Sequence, residues 1–481
     1  MIDPRVLAHA GSERDDARVT PRRVIGAVIA VTVWLSACGG GHQLRAGRAP
    51  AAHSRVGLSG AHQCPDEPDF RCSILRVPLD HAGQVAGTLS LTVGVSTVGS
   101  APRGVLLFLT GGPGQPAVPF LAHVQARLRS ALEGYRLVMF DERGTGAGAL
   151  ACPSLQAAAG ASDLTIAPAA AVSACARSIG RARRFYSTPE TVADIEQLRV
   201  ALGVKRLTLD GVSYGTFVAE RYALAHPAHV ARLVLDSVVP HAGVDPLYRG
   251  ALAATGRVLR SVCAAQHCGW DPAADVAAVV ARLRDGPGLL NALVAESVAA
   301  PNYPGVLDDL HAARLGRAQA LERFTADARR DEAAPAAFLS QGLHESTLCL
   351  DLASPWDPND PGVRRAATLA ALAAATPRSA FYPFDRSTAT GNGLARGCVE
   401  WPPTRPPGVP DGSATARLPT VPVLLLAGEH DLSTPLGWAR AEAATAPRGR
   451  LLEVPGAGHS VQLRARDSGV RRVLAQFLRT G

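Results

Sequence analysis

Lysine is almost missing from this chain. Lys205 is the only one, so arginine supplies nearly all of the 49 basic residues. The arginines are scattered, no run of them alternates with aromatic residues, and the net charge is only +8 over 481 residues. A nucleic-acid partner would need basic residues concentrated on one segment or face. We therefore expect no nucleic-acid binding.

The apolar run near the N-terminus is too short to cross a bilayer. It covers about 14 residues from Val24 to Ala37, roughly 21 Å as a helix, against a hydrocarbon core of roughly 30 Å. Arg22 and Arg23 precede the run and small residues end it, as in a secretory signal. The sequence Leu-Ser-Ala-Cys at 35–38 resembles the lipobox of bacterial lipoproteins, in which the cysteine is diacylated and becomes the new N-terminus.

These features predict export and a membrane anchor. Residues 1–37 are interpreted as a lipoprotein signal peptide, Cys38 as the lipidation site, and residues 38–60 as a flexible tether. The mature chain would then face the extracytoplasmic side of the membrane. An ordinary signal peptide cut nearby, with Cys38 incidental, is the alternative.

The nine cysteines lack the spacing of a zinc site, since no Cys-x-x-Cys occurs and no pair is flanked by suitably spaced histidines. We expect no metal and no cofactor. If Cys38 carries lipid, eight cysteines remain, an even number that favours disulfides in an exported chain. Eight cysteines allow 105 pairings. They nevertheless fall into neighbouring pairs along the sequence: Cys64/Cys72, Cys152/Cys175, Cys263/Cys268 and Cys349/Cys398.

Short apolar runs alternate with helical segments over residues 61–240 and 419–481. Such alternation predicts an α/β fold with a mostly parallel sheet covered by helices on both faces. Residues 241–418 are instead rich in alanine and arginine with helical periodicity, which predicts a large, mainly helical cap inserted over the sheet. The predicted strands are Cys72–Val77, Leu89–Val95, Val105–Leu109, Tyr135–Phe140, Arg206–Leu209, Leu233–Leu235, Val421–Ala427 and Leu451–Val454.

One turn carries the signature of a nucleophile. Gly211-x-Ser213-x-Gly215 lies between a predicted strand and a predicted helix, which is the setting of the nucleophile elbow of α/β-hydrolase folds. The flanking glycines permit the close backbone approach that this strained turn needs. We therefore predict that Ser213 is the nucleophile of a serine hydrolase.

A serine nucleophile needs a base and an acid, which follow it in the order Ser, Asp, His in this fold. Asp431 lies in the loop after the strand that ends at Ala427, and His459 lies in the loop after the last strand. We assign them as acid and base. Asp236, directly after another strand, is an alternative acid, whereas His430 is expected to point elsewhere. Thr434 could hydrogen-bond within the acid loop.

The oxyanion of the tetrahedral intermediate needs two hydrogen-bond donors. The backbone N–H of Tyr214, next to the nucleophile, is one candidate. The other should come from the loop after the strand ending at Leu109, where Gly111-Gly112-Pro113-Gly114 stands. We nominate the Gly112 N–H, since Pro113 has no N–H to donate.

Several of these motifs together resemble the prolyl and tripeptidyl aminopeptidase family of serine peptidases. They are Gly-Gly-Pro-Gly at 111–114, Asp-x-Arg-Gly-x-Gly at 141–146, Gly-x-Ser-Tyr-Gly around Ser213, the segment 426–435 and Gly-Ala-Gly-His at 456–459. The likeness runs from about Cys64 to the C-terminus. Thr110 replaces the histidine usual in the prolyl branch, and Ala147-Gly148 replaces a small-x-Ser ending.

The resemblance implies an α/β-hydrolase fold and peptide substrates with a free N-terminus. Cys349 and Cys398 resemble a cysteine pair of the secreted tripeptidyl branch. An aminopeptidase must also hold an α-ammonium, and Glu345, Asp351 and Glu400 are the candidate carboxylates in the cap. An esterase or lipase with the same catalytic residues is a second interpretation, and a non-catalytic binding lipoprotein is a third.

Overall fold

A computed structural model describes residues 57–299, 301–404, 415–466 and 468–480. The predicted signal peptide and Cys38 lie outside these residues. The described residues form nine strands: β1 Leu58–Cys64, β2 Glu67–Pro78, β3 Thr88–Ser96, β4 Gly104–Leu109, β5 Tyr135–Phe140, β6 Leu207–Val212, β7 Val230–Asp236, β8 Val423–Gly428 and β9 Gly449–Val454.

Helices alternate with the strands from β4 onward and fill the interval between β7 and β8. None of the described helices is long and apolar enough to span a bilayer. In chain order they are α1 Leu121–Leu128, α2 Pro153–Ala159, α3 Ala169–Ile179, α4 Thr188–Ala201, α5 Tyr214–Ala225, α6 Arg249–Gln266, α7 Pro272–Leu283, α8 Gly286–Ala299, α9 Tyr303–Arg314, α10 Gln319–Asp331, α11 Gln341–Asp351, α12 Gly362–Ala375, α13 Arg386–Thr390, α14 Gly393–Glu400, α15 Leu436–Thr445, α16 Val461–Arg464 and α17 Gly469–Thr480.

All nine strands join one sheet in the order β1-β2-β3-β5-β4-β6-β7-β8-β9. The pairs from β5 to β9 are parallel, whereas β1, β2, β3 and β5 pair antiparallel. Within the sheet, β5 lies on one side of β4, and the next strand in the chain, β6, lies on the other side of β4. The strand order therefore reverses between β4 and β6, and such a switch point opens a crevice at the carboxyl ends of the strands.

The sheet is buried on both faces. In β8, Val423 and Leu425 belong to one apolar cluster, while Leu424 and Leu426 belong to a second cluster on the opposite face. All four are fully buried. This explains why the parallel strands read as continuous apolar runs instead of alternating ones. The predicted α/β-hydrolase fold, with its mostly parallel sheet and large helical insertion, is confirmed.

Several strand boundaries differ from the sequence prediction; β2 begins at Glu67 instead of Cys72, and β7 begins at Val230 instead of Leu233. β1 begins at Leu58, inside the segment predicted as a tether, because it pairs with β2 as an edge hairpin. β6 extends to Val212, beyond the predicted end at Leu209. The helices between β7 and β8, from Arg249 to Glu400, are called the insertion below.

The eight cysteines beyond Cys38 form the four neighbouring pairs expected from the sequence. The bonds are Cys64–Cys72, Cys152–Cys175, Cys263–Cys268 and Cys349–Cys398. The last one connects α11 to α14, with its Cα atoms 5.1 Å apart. It closes a loop of 49 residues within the insertion, so it limits the separation of these two helices.

Arg143, in the loop after β5, is fully buried and pairs with Asp194 of α4. Its Nε and Nη2 atoms each donate to one carboxylate oxygen of Asp194 at 2.7 Å. Nη1 donates to the carbonyls of Phe185 and Leu79 at 2.7 and 3.0 Å. The guanidinium therefore joins the β5 loop, the end of β2 and the start of α4.

Replacing Arg143 by alanine should strongly destabilise the fold, because the buried Asp194 would lose the guanidinium that donates to both of its oxygens and would keep only His81 as a partner. We expect a loss of about 3–5 kcal/mol in the free energy of unfolding, measured in guanidinium chloride. Arg364→Ala is the control, because the Arg364 side chain is 71% exposed and its ion pair with Asp360 is long, at 3.6 Å. This substitution should change the free energy of unfolding by no more than about 0.5 kcal/mol. Equal effects of the two substitutions would contradict the assigned role.

Candidate active site

Ser213 occupies the turn between β6 and α5 with φ +57°, a strained conformation for a residue with a side chain. Its N–H donates to the Asp236 carbonyl at 2.9 Å. A Cβ on Gly215 would lie 2.5 Å from the carbonyl oxygens of Leu109 and Thr110, and one on Gly211 would lie 2.8 Å from the Thr216 nitrogen. Only glycine fits at these two positions, as the elbow motif predicts.

Asp431 and His459 are brought together at the carboxyl ends of β8 and β9. His459 Nδ1 lies 2.9 Å from Asp431 Oδ2, and both side chains are buried. The Thr434 hydroxyl donates to the same carboxylate oxygen at 2.6 Å, while the N–H groups of Ser433 and Thr434 donate to Oδ1 at 2.9 Å. The carboxylate is therefore fixed from three sides, and Thr434 has the position proposed for it.

The electrostatics of this pair suit a neutral imidazole held by an ionised carboxylate. Burial opposes ionisation of Asp431, but the facing His459 and the hydrogen bonds from Thr434 outweigh burial and lower the pKa of this carboxyl. Burial also lowers the pKa of His459, because it disfavours the imidazolium. His459 Nε2 is buried and has no hydrogen-bond partner among the described residues, so it can accept a proton.

Asp236, the alternative acid, is engaged elsewhere. Its fully buried carboxylate accepts hydrogen bonds from the N–H groups of Val461 and Gln462 at 3.0 and 2.8 Å. Burial raises its pKa to about 7. His430, the alternative base, packs its ring against Tyr303 of the insertion, with ring centroids 5.7 Å apart. Neither residue competes with Asp431 or His459 in this geometry.

The predicted oxyanion loop runs beside the nucleophile. A Cβ on Gly111 would lie 2.8 Å from Ser213 Cβ and 3.2 Å from its Oγ, so this loop is in contact with Ser213. Gly112 follows with φ +112°, and the Thr110 hydroxyl closes the loop by donating to the Gln115 carbonyl at 2.9 Å. Tyr214 is the first residue of α5. The first N–H groups of a helix have no partner within the helix, so the Tyr214 N–H is free to donate to an oxyanion.

The insertion is fastened to this loop. The Ser340 N–H donates to the Gly114 carbonyl at 2.9 Å, immediately before α11 begins. One turn further, His344 Nδ1 lies 3.0 Å from the Pro113 carbonyl. Burial lowers the pKa of His344 to about 4, so the ring is neutral and its Nδ1–H donates to that carbonyl. The insertion therefore helps to hold the loop that carries the predicted oxyanion donor.

The three candidate amine anchors differ in their surroundings. Glu400 is half-buried and pairs with Arg396 at 3.2 Å, so its charge is already compensated. Asp351 accepts hydrogen bonds from the Thr188 N–H at 2.8 Å and from the Tyr214 hydroxyl at 3.1 Å. Burial raises the pKa of Asp351 to about 6. This carboxyl thus lies next to the residue that follows the nucleophile.

Glu345 is the candidate with the least compensation. Its side chain is 9% exposed and, among the described residues, it forms no ion pair within 4 Å. Its carboxylate lies 3.7 Å from Cys349 Sγ, and burial raises its pKa to about 8. A cation that reached this carboxyl would relieve the cost of its burial.

Sequence reasoning missed two residues of the site, His344 and Glu142. Glu142 follows Asp141 in the loop after β5, and burial together with Asp194 raises its pKa to about 8. Burial raises the pKa of the Tyr214 hydroxyl, with Asp351 and Glu142 acting in the same direction. In the sequence, Glu142 occupies only the variable second position of the motif Asp-x-Arg-Gly-x-Gly at 141–146. His344 lies in a helical segment, where no preceding strand indicates that it reaches the site.

The strand order and the loops at its switch point define this chain as an α/β-hydrolase fold. Residues 104–284, which include Gly112 and Ser213, match a family described as alpha/beta hydrolase fold. Residues 382–481, which include Asp431 and His459, match a family described as TAP-like protein. The first match supports the fold around the nucleophile turn, and the second supports the resemblance to the tripeptidyl aminopeptidases in the part that carries Asp431 and His459.

Several relatives carry peptidase names, including two from Streptomyces coelicolor. A tripeptidyl aminopeptidase of Streptomyces coelicolor is 30% identical over 190 residues, which are 35% of this chain and 35% of that protein. A probable proline iminopeptidase of the same organism is 34% identical over 144 residues, which are 30% of this chain and 36% of that protein. The chain thus spans little more than a third of the length of either relative.

Among solved structures, the proline iminopeptidase of Mycobacterium smegmatis is 19% identical with a TM-score of 0.41, covering 85% of this chain and 98% of that one. The assignment of the fold rests on the strand order and the family matches described above.

If Ser213 and His459 act together, Ser213→Ala and His459→Ala should each lower kcat by roughly 10⁴-fold or more. The double variant should lose little more than either single one, because neither residue works without the other. Asp431→Asn should be severe, while Asp236→Asn should mainly lower stability. Steady-state kinetics and thermal unfolding of the purified variants would show this. Additive losses, or a larger kinetic effect at Asp236, would contradict the assignment.

The pH dependence of hydrolysis should report the neutral His459. Because burial lowers its pKa below the ordinary value of 6.5, kcat/KM toward a p-nitrophenyl ester, which has no amine to bind at Glu345, should rise with pH and reach half of its maximum below pH 6.5. Under more acidic conditions the imidazole is protonated and cannot accept the serine proton. A midpoint of this acidic limb above pH 7 would show that His459 is not the base, or that its charged form is favoured.

Proposed function

We propose that this chain is an exported serine exopeptidase that hydrolyses peptide bonds near the free N-terminus of peptides, as a tripeptidyl or related aminopeptidase. The observation that carries the proposal is the buried contact of 2.9 Å between His459 and Asp431 at the sheet edge that also presents Ser213. The peptidase names of both relatives support the substrate class.

In the proposed reaction, Ser213 Oγ attacks the carbonyl carbon of the scissile peptide while His459 Nε2 takes the hydroxyl proton. The resulting oxyanion accepts hydrogen bonds from the N–H groups of Gly112 and Tyr214. His459 then protonates the leaving amine, and an acyl-enzyme on Ser213 remains. A water molecule, activated by the same imidazole, releases the acyl peptide. Asp431 holds the Nδ1–H tautomer and stabilises the imidazolium as it forms.

The buried carboxyls of α11 and of the loop after β5 suit a substrate that carries a positive charge. Glu345, Asp351 and Glu142 all have raised pKa values, chiefly because of burial. An α-ammonium placed among them would favour their ionised forms and gain charge-assisted hydrogen bonds. We assign Glu345 as the principal anchor, since Glu400 is paired with Arg396 and Asp351 already accepts two hydrogen bonds.

Glu345→Gln should lower kcat/KM toward tripeptide p-nitroanilides with a free N-terminus by about 10- to 100-fold, because a hydrogen bond to a charged group is lost. The N-acetylated peptides should be poor substrates of both proteins. Glu400→Gln is the matched control and should change kcat/KM less than about twofold. Labelling of Ser213 by a small fluorophosphonate should be unchanged in both variants, which checks that the site is intact.

The same measurements separate the competing functions. An esterase would hydrolyse p-nitrophenyl esters and ignore both the free amine and the Glu345 substitution. A binding lipoprotein would not be labelled by the fluorophosphonate. Equal turnover of free and acetylated peptides by the wild type would overturn the exopeptidase proposal, whatever the effect on esters.

Export and lipidation are part of the proposal and rest on the sequence around Cys38. Radiolabelled palmitate should enter the wild-type chain, and Cys38→Ala should abolish the labelling and release the protein to the medium. A single acyl chain binds membranes only marginally, so stable anchoring requires the several chains of a lipoprotein cysteine. Fractionation of cells that express each variant tests this. Labelling that persists in Cys38→Ala would contradict the assignment.

A further inference from the structure

A buried acidic residue precedes the nucleophile turn. Asp210 lies on β6, three positions before Ser213, and its side chain is fully buried. Its neighbours across the sheet are Phe108 on β4 and Val234 on β7, which are fully buried and belong to one apolar cluster. Residues directly opposite each other in paired strands point to the same face of the sheet. The Asp210 carboxyl therefore lies among apolar groups, where an ionised form is costly.

The side chain of Gln462 contacts this carboxyl. Gln462 follows His459 by three positions, and its Nε2 donates to Asp210 Oδ1 at 2.7 Å. The remaining polar atoms of the two side chains, Asp210 Oδ2 and Gln462 Oε1, are buried and have no hydrogen-bond partner among the described residues. Both atoms are acceptors when Asp210 is ionised. A proton on Oδ2 would turn it into a donor to Oε1, so that an acid and an amide share two hydrogen bonds.

The hydrogen bonds of Asp236 indicate which of two neighbouring carboxyls keeps a proton. Asp236 accepts from the N–H groups of Val461 and Gln462 and from the Ser237 hydroxyl at 3.1 Å, whereas Asp210 accepts from one donor. Donors favour the ionised form, and a neighbouring negative charge opposes a second ionisation. Burial raises the pKa of Asp210 well above its ordinary range, the Gln462 amide offsets a part, and Asp236 raises it further. Among the described residues, no basic side chain acts on Asp210.

We propose that Asp210 stays protonated in the folded chain at neutral pH, and that its paired hydrogen bonds with Gln462 position the loop of His459 against the strand of Ser213. Neither Asp210 nor Gln462 reaches the reacting atoms, so both are positioning residues. The kinetic consequence rests on the catalytic roles proposed for Ser213 and His459. The protonation of Asp210 does not depend on them.

A retained proton makes stability depend on pH. In the unfolded chain Asp210 has its ordinary pKa of 3.8 and is ionised at neutral pH, whereas the folded chain keeps the proton. The folded chain thus binds one more proton, and the free energy of unfolding falls as pH rises from about 4 toward the raised pKa. Asparagine at this position keeps both hydrogen bonds, since its Nδ2 can donate to Gln462 Oε1, and it has no proton to lose.

Thermal unfolding of the full chain from pH 4 to pH 9 tests this. The stability of Asp210→Asn relative to the wild type should increase with pH up to the raised pKa of Asp210. Asp308→Asn, at an exposed position of α9, is the control and should follow the wild type at every pH. A stability difference between Asp210→Asn and the wild type that stays constant or falls with pH would overturn the proposal. So would failure of Asp210→Asn to fold, because asparagine preserves the pair.

Infrared spectroscopy detects the proton directly. The C=O stretch of a protonated carboxyl is separate from the bands of a carboxylate. The spectrum of the wild type minus that of Asp210→Asn at pH 7 should contain the band of a protonated carboxyl. Carboxylate bands in its place would overturn the proposal, whatever the activity of the chain.

Hydrolysis of a p-nitrophenyl ester tests the positioning role. Gln462→Leu removes both hydrogen bonds, so kcat should fall by about tenfold or more with little change in KM, because a displaced His459 transfers protons less well. Gln476→Leu, at an exposed position of α17, should change kcat by less than about twofold, and the conservative Asp210→Asn should stay within about threefold of the wild type.

The kinetic outcomes separate this role from the proposed function. An unchanged kcat in Gln462→Leu would refute the positioning role. If that variant fails to fold, Gln462→Glu decides: it places a second carboxyl against Asp210, so its kcat should fall as pH rises through neutrality, and a pH profile like that of the wild type would refute the role. A wild type that is not labelled at Ser213 by a fluorophosphonate would contradict the proposed function, while the infrared and unfolding results would still decide the state of Asp210.

Discussion

The end of β7 is the constraint on which the candidate site depends. The carbonyl of Asp236 receives the N–H of Ser213, and its carboxylate receives the N–H groups of Val461 and Gln462, just beyond His459. The neighbouring Ser237 hydroxyl receives the Ser460 N–H at 2.8 Å. Two adjacent residues thus fix both the elbow and the histidine loop, which lie more than 240 positions apart in the chain. Asp236 therefore positions both loops, because the N–H groups of Val461 and Gln462 already engage its carboxylate oxygens.

A second set of contacts joins the insertion to the loops of the candidate site. α11 begins against the Gly114 carbonyl and ends at Asp351, which accepts a hydrogen bond from the Tyr214 hydroxyl. The donors predicted to stabilise the oxyanion are therefore supported by the same helix that carries the proposed amine anchor. Under the proposed function, binding of the substrate's N-terminus and alignment of its carbonyl would be coupled through this helix.

The sequence was sufficient to predict which candidate residues follow strands and reach the same edge of the sheet. Ser213, Asp431 and His459 could be assigned because parallel strands deliver their loops to one edge of the sheet, in a fixed order. Nothing comparable marks the insertion, where His344 and Glu345 differ from other helical residues only in what they contact. Asp431 and Asp236 are both buried after a strand, and only hydrogen bonds across the fold distinguish them, which no local pattern records.

The fastening of α11 at both of its ends bears on what the site can admit. A helix attached at one end only could swing aside for a large substrate. Hydrogen bonds hold α11 to Gly114 and Pro113 near its first turn and to Thr188 and Tyr214 at its last residue. The position of α11 is then fixed relative to both the oxyanion loop and Tyr214. Under the proposed exopeptidase function, the insertion should not swing away to admit a bulky substrate, so unfolded chain ends should be better substrates than the termini of compact domains.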